Sequence, residues 1–93
     1  MEQKISFSEA LIALKNKRKV ARLSWNGKGM YIYLVPANKY PAQRNINETV
    51  VDTFTDNMVP YTAYIAMKTV RDEITPWAPA QSDVIEEDWV IVE

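Results

Sequence analysis

Two short stretches carry residue types able to hold a small molecule. Trp25-Asn26-Gly27-Lys28-Gly29-Met30 sets an indole beside a loop with two glycines and a lysine. Glycine lets backbone N–H groups approach a ligand closely, and Lys28 adds positive charge. Trp25 offers a flat face of the kind that is worth roughly 1–3 kcal/mol per stacked base. The same six residues also describe a tight hairpin closing on a core tryptophan, because Asn-Gly suits the positive φ angles of a type I′ turn. Trp77-Ala78-Pro79-Ala80-Gln81-Ser82-Asp83 is the second stretch. A tryptophan at a strand end is followed there by a proline turn and by Ser-Asp opening a helical turn. Asp83 can accept from a base amine or a ribose hydroxyl, and free N–H groups at the start of that turn can accept a phosphate. Equally, Ser82 and Asp83 can be ordinary capping residues.

Catalytic chemistry has little to stand on. The 93 residues contain no His and no Cys, which removes imidazole and thiolate metal ligands, cysteine nucleophiles and the Ser-His-Asp arrangement. Ser6, Ser8 and Thr75 would need a lysine base, and nothing marks one. No G-x-x-x-x-G-K-[ST] is present, so a nucleoside-triphosphatase reading fails. Glu86-Glu87-Asp88 reads as a solvated face, since neighbours on a turn diverge. No catalytic residue, metal or cofactor is expected.

Charge is unevenly placed. Residues 1–45 hold nine Lys/Arg against two Asp/Glu, and residues 46–93 hold two against ten. Either the halves complement each other on packing, or the first contributes a basic cavity for an anionic ligand. A sequence pI of 5.4 argues against DNA or RNA as partner. MEQKISF has no apolar signal-peptide core, and no apolar run nears the ~20 residues that cross a bilayer. A soluble cytoplasmic protein without membrane contact is expected.

The elements that must position these residues follow from periodicity. Ser6 and Glu9 form an S-x-x-E capping box, and Phe7, Ala10, Leu11 and Leu14 recur at helical spacing until Asn16. From Val20 to Trp25 the period is two, and Met30 to Val35 is the return strand. Both faces of that strand are apolar, which predicts cover from the helix on one side and a neighbouring subunit on the other. Residues 37–60 read as a loop with an ambiguous stretch from Glu48 to Phe54. Tyr61–Lys68 reads as a strand, Arg71-Asp72 as a turn into Glu73–Trp77, whose proline favours an edge. Ser82 is expected to cap a turn over Asp83–Glu87, and Trp89–Val92 closes as a strand with Trp89 in the core. The fold class is α+β: a single domain, residues 1–93, with one N-terminal amphipathic helix packed on an antiparallel sheet of about five strands and a short helical turn near the C-terminus.

The order of blocks is distinctive: a Ser-Phe-Ser-Glu-Ala-Leu helix, Ala21-Arg22-x-x-Trp25-Asn26-Gly27-Lys28-Gly29-Met30, Met67-Lys68, Pro76-Trp77, Gln81-Ser82-Asp83 and Glu87-Asp88-Trp89. It closely resembles the second type of Thoeris anti-defence protein, a small phage family, from Ser6 to Glu93. The resemblance implies a molecular sponge that holds a glyco-cyclic ADP-ribose signal made by TIR-domain proteins without cleaving it. Some relatives also take up cyclic dinucleotides. It further implies a homo-oligomer, a tetramer of paired dimers with pockets at subunit contacts, acting in the bacterial host cytoplasm. On matching positions it implies Trp25 and Trp77 as pocket walls, Asn26, Gly27, Ser82 and Asp83 as polar contacts, and Met30 and Ala78 as further contacts. A protein that inhibits a defence effector directly, or a hydrolase of the signal, are the alternatives.

Overall fold

The computed structural model describes residues 3–25, 28–41, 54 and 58–93. Asn26 and Gly27, and the ambiguous stretch from Glu48 apart from Phe54, lie outside the described residues.

Helix α1 spans Phe7–Lys15. Its start is set by the predicted capping box: Ser6 Oγ accepts from the Glu9 N–H at 3.2 Å, and Glu9 Oε1 accepts from the Ser6 N–H at 3.1 Å. Two orphan donors of the first turn are thereby satisfied. Asn16 forms the C-cap, and Lys17 takes the left-handed conformation, φ 65°, that turns the chain out of the helix.

Among the described residues seven strands follow: β1 Lys19–Arg22, β2 Tyr31–Val35, β3 Asn38–Pro41, β4 Met58–Tyr61, β5 Tyr64–Lys68, β6 Ile74–Pro76 and β7 Trp89–Val92. Helix α2, Gln81–Ile85, lies between β6 and β7. Five strands make one antiparallel sheet in the order β6-β5-β2-β1-β7. The α+β class and the five-stranded sheet are as the periodicity predicts, and Pro76 falls on the edge strand, where a missing N–H does no harm.

Three expectations are corrected. The strand expected over Val20–Trp25 ends at Arg22, because Leu23 and Ser24 turn. The strand expected over Tyr61–Lys68 is two, broken at Thr62-Ala63. The region 37–60 contributes β3 and β4, which pair as a separate two-stranded ribbon.

Register assigns the faces. Val20 pairs with Ile32 and Ile91, Ile32 with Met67, and Leu34 with Ile65, so these side chains share one face. Ala10, Ala13 and Leu14 of α1 lie against that face with Val20, Ile32 and Trp89 in one buried cluster. Tyr31, Tyr33, Val35, Ala66 and Val90 alternate to the other face. Helix α2 is on the same side as α1, so the described helices cover only the first face. Among the described residues no helix is long and apolar enough to cross a membrane.

Trp89 is fully buried, with Phe7 at 5.4 Å between ring centroids. Its Nε1–H donates to the Asp83 carbonyl at 2.8 Å, so the indole brings no unsatisfied donor into the core. Trp89→Ala should therefore cost about 3–5 kcal/mol, a large share of the stability of a domain this small. A urea titration followed by circular dichroism measures it, and a loss below about 1 kcal/mol would contradict this placement.

Candidate functional site

The two sequence-predicted stretches meet on the helix-covered face of the sheet. Trp25 follows the β1 turn, where its N–H bonds the Arg22 carbonyl at 3.2 Å. Trp77 follows β6, its N–H bonded to the Ile65 carbonyl at 2.9 Å. Their ring centroids lie 6.4 Å apart, edge to face, and both rest edge-on against Trp89, at 5.4 Å and 6.1 Å. Trp89 is buried, whereas Trp25 and Trp77 are half-buried. One core indole thus forms the floor, and two partly exposed indoles stand on it. Edge-to-face contacts of this kind add about 0.5–1.5 kcal/mol each beyond area burial, so the two outer rings are held rather than mobile.

Met30 is half-buried at the end of the same loop, while Ala78 and Ser82 are exposed. Gly29, at φ +76°, needs glycine, and its carbonyl accepts from Lys68 Nζ at 3.2 Å. That lysine also pairs with Asp72. Ser82 is not the cap of α2. Ala80 holds that position, and its N–H donates to Asp83 Oδ2 at 2.8 Å, so the third residue of the helix satisfies the start of it. The helical turn accordingly sits at 81–85, two residues earlier than expected.

Arg22 is the residue that sequence reasoning missed. It lies on the helix-facing side of β1 with only 10% of its side chain exposed. Its Nε donates to Asp88 Oδ1 at 2.8 Å and its Nη2 to Asp88 Oδ2 at 3.3 Å, a two-pronged contact. Nη1 donates to Asp83 Oδ1 at 2.9 Å. Asp88 therefore belongs to an internal ion pair and not to the solvated face expected of Glu86-Glu87-Asp88; Glu86 and Glu87 are exposed as expected. A signal was present: an arginine two residues after a core valine on a strand must face inward, and it demands carboxylates.

Both Asp83 oxygens already accept internal donors, from Arg22 and from Ala80. A carboxylate oxygen keeps a second lone pair, so Asp83 retains acceptor capacity while serving the fold. Its hydrogen bonds to Asp88, then to Asp83, hold the Arg22 guanidinium above its ordinary pKa. The Arg22 hydrogen bonds, aided by Ser24, hold the Asp88 carboxyl below its ordinary range despite its burial. Arg22–Asp83, Arg22–Asp88 and Arg18–Glu93 all join the basic first half to the acidic second. The uneven charge is thus used at least partly for internal complementarity. Among the described residues, two concavities share no residue with the tryptophan cluster. One, of about 480 Å³, runs between α1 and β7; the other, about 250 Å³, is lined by Val35, Pro36, Tyr40, Tyr61 and Tyr64.

Comparison with known proteins gives two agreeing results. The family model of the Thoeris anti-defense 2-like domain matches residues 5–92. A relative named Thoeris anti-defense 2, from Bacillus phage SP01, is 36% identical over 98 residues and covers 99% of each chain. The match takes in every strand and both helices of the described residues, including Arg22, Trp25, Trp77, Asp83, Asp88 and Trp89.

The Asp88 shift fixes the sign of one pH effect. A carboxyl with a lowered folded pKa contributes its full stability above its unfolded value, about 3.9, and loses it as pH falls through the folded value. Stability should therefore fall below about pH 4. Asp88→Asn should flatten that acid limb and cost on the order of 1.5–3 kcal/mol at neutral pH, the range for hydrogen bonds to charged groups. Thermal melts across pH check this, and an unchanged acid limb in the variant would contradict it.

Proposed function

The chain belongs to the Thoeris anti-defense 2-like family, and on that premise we propose that it binds and holds a glyco-cyclic ADP-ribose immune signal without cleaving it. Family membership carries the phage anti-defence role; the sequestering mechanism is our reading. The observation that carries it is the pairing of Trp25 and Trp77, two half-buried indoles 6.4 Å apart on a fixed aromatic floor. Such rings stack on flat bases without supplying any chemistry to break them. Asn26, Gly27 and Ser82 are the proposed polar contacts beside them, with Asp83 sharing its carboxylate between ligand and fold. Met30 and Ala78 complete the wall. The host cytoplasm, where the signal acts, is the proposed place of action.

In this reading the working species is a homo-oligomer, with a tetramer favoured. The sheet face bearing the half-buried Tyr31, Tyr33 and Val35 has no helix over it among the described residues, although an exposed sheet face is ordinarily polar. A second copy packed on that face covers these side chains.

The test is calorimetric titration with cyclic ADP-ribose isomers, glycosylated and plain, and with a cyclic dinucleotide. Trp77→Ala should weaken binding of the preferred ligand by about 5- to 150-fold, the equivalent of one lost stacking contact, while the far-ultraviolet spectrum stays native. A folded Trp77→Ala protein with unchanged Kd would remove the tryptophan pair from the site. Failure of the native protein to bind any of these ligands would overturn the reading itself.

A further inference from the structure

Lys68 lies on the sheet face opposite the three tryptophans. It is nevertheless bonded to one of the two stretches proposed to hold the ligand, and to the turn that leads to the other. Lys68 stands across from Tyr31 in the pairing of β5 with β2, so both side chains leave the sheet on the bare face. Its ammonium sits 5.9 Å from the Tyr31 ring centroid, within cation–π reach. From there Nζ donates to the Gly29 carbonyl at 3.2 Å. Gly29 immediately precedes the half-buried Met30, so the bond holds the peptide group that leads into the proposed site wall.

A second partner comes from the opposite direction. Nζ pairs with the Asp72 carboxylate, which the turn between β5 and β6 presents. That turn is closely specified. The Thr69 N–H donates to the Glu73 carbonyl at 2.9 Å, and the Asp72 N–H to the Thr69 carbonyl at 3.0 Å. Thr69 Oγ1 accepts from the N–H groups of Arg71 and Glu73, at 3.2 and 3.3 Å. Asp72 takes the left-handed conformation, φ 60°, which aspartate tolerates better than most residues. Strand β6 leaves this turn and ends at Pro76, directly before Trp77. One ammonium therefore ties the segment before Met30 to the hairpin that carries Trp77.

Two details show what the contact requires. Only 24% of the Lys68 side chain is exposed, although a lysine on an uncovered face is free to extend into water. At Gly29, φ +76° strains any other residue, and a Cβ there would lie 3.3 Å from Lys68 Nζ. The Asp72 side chain is 78% exposed, so its pair orients Lys68 more than it stabilises the fold.

We propose that Lys68 is a positioning residue for the ligand site, holding the Gly29–Met30 peptide in register with the β5–β6 hairpin from behind the sheet. This role rests on the sequestering reading above and deepens it, adding a residue that acts without touching ligand. Without the ammonium, the segment samples further arrangements and only a fraction of molecules is ready to bind. The apparent Kd rises by the inverse of that fraction.

Calorimetric titration of the full chain with glycosylated cyclic ADP-ribose tests this, alongside the methionine methyl spectrum of the ligand-free protein. Lys68→Gln carries no charge and stops short of Gly29. It should weaken binding by about 3- to 10-fold, the worth of one ordinary hydrogen bond. The Met30 methyl signal should move toward its unfolded position, while circular dichroism and the mass by light scattering stay native. Lys68→Arg keeps a cation with N–H donors and should restore both binding and the methyl signal. Asp72→Asn keeps the turn, since asparagine also accepts the left-handed conformation, and should weaken binding in the same direction by less. Native Kd and a native Met30 signal in folded Lys68→Gln would overturn the role of Lys68 and leave the sequestering reading standing. So would weaker binding with an unmoved Met30 signal, or a Lys68→Arg protein as weak as Lys68→Gln. If Lys68→Gln does not fold, Asp72→Asn decides, and a native Kd with a native methyl signal there overturns the role. A native protein that binds no signal would overturn the sequestering reading, and this role with it.

Discussion

The structure depends on one constraint: a guanidinium lies beneath the sheet, on the face that the helices cover. Arg22 follows Val20 at strand spacing, so the pleat that buries the valine also turns the arginine inward. A charge so placed is tolerable only when paired and hydrogen-bonded. Asp83 does this from within α2 and Asp88 from the segment that follows it. Their positions then determine much else. The Asp83 side chain satisfies the first turn of α2, and its carbonyl takes the Trp89 indole N–H. Asp88 leads directly into β7, its carbonyl bonded to the Leu23 N–H. One inward-facing arginine thereby locks the C-terminal third of the chain onto the N-terminal hairpin, and Trp25 and Trp77 stand on the indole held in place by that lock.

The division of labour between the two faces follows. On the covered face the chain has a complete core, with helix, aromatic floor and ion pairs. On the other face Tyr31 and Tyr33 lie beside Lys19 and Lys68, whose ammonium groups sit 4.9 Å and 5.9 Å from the Tyr31 ring. The amphipathic lysine stems shield part of that surface. The ribbon of β3 and β4 stands outside the main sheet, and the chain is 50 Å long in one direction against 26 and 25 Å in the others.

Much of this was legible in the sequence, because the signals were local. The Ser6–Glu9 box, the helical spacing to Leu14 and the period-two run from Met30 each concern residues within a few positions of one another. Pro76 at an edge and Trp89 in the core were legible for the same reason. The Arg22 clamp was not, because it joins residues more than sixty positions apart, and Asp83 and Asp88 each have an ordinary local explanation as cap or surface charge. Ser82 was misread as a cap because a serine before an acidic residue is the commoner device; here the carboxylate at the third position does the work from inside the helix. The β3–β4 ribbon was hidden by its prolines. Pro41 and Pro60 read as strand breakers, yet both are tolerated in a two-stranded ribbon, where each strand has a free edge. For the site, the two tryptophan stretches were legible as candidates, but not that a third tryptophan joins them.

The central claim is that the chain removes a signal by holding it. The most direct measurement mixes increasing protein with a fixed amount of the signal, filters the mixture, then heats the retained protein and weighs what it releases by mass spectrometry. Sequestration predicts that free signal falls in proportion to protein and that the released molecule has its original mass and activity. Complete loss of signal at substoichiometric protein, or recovery of a hydrolysed product, would contradict it.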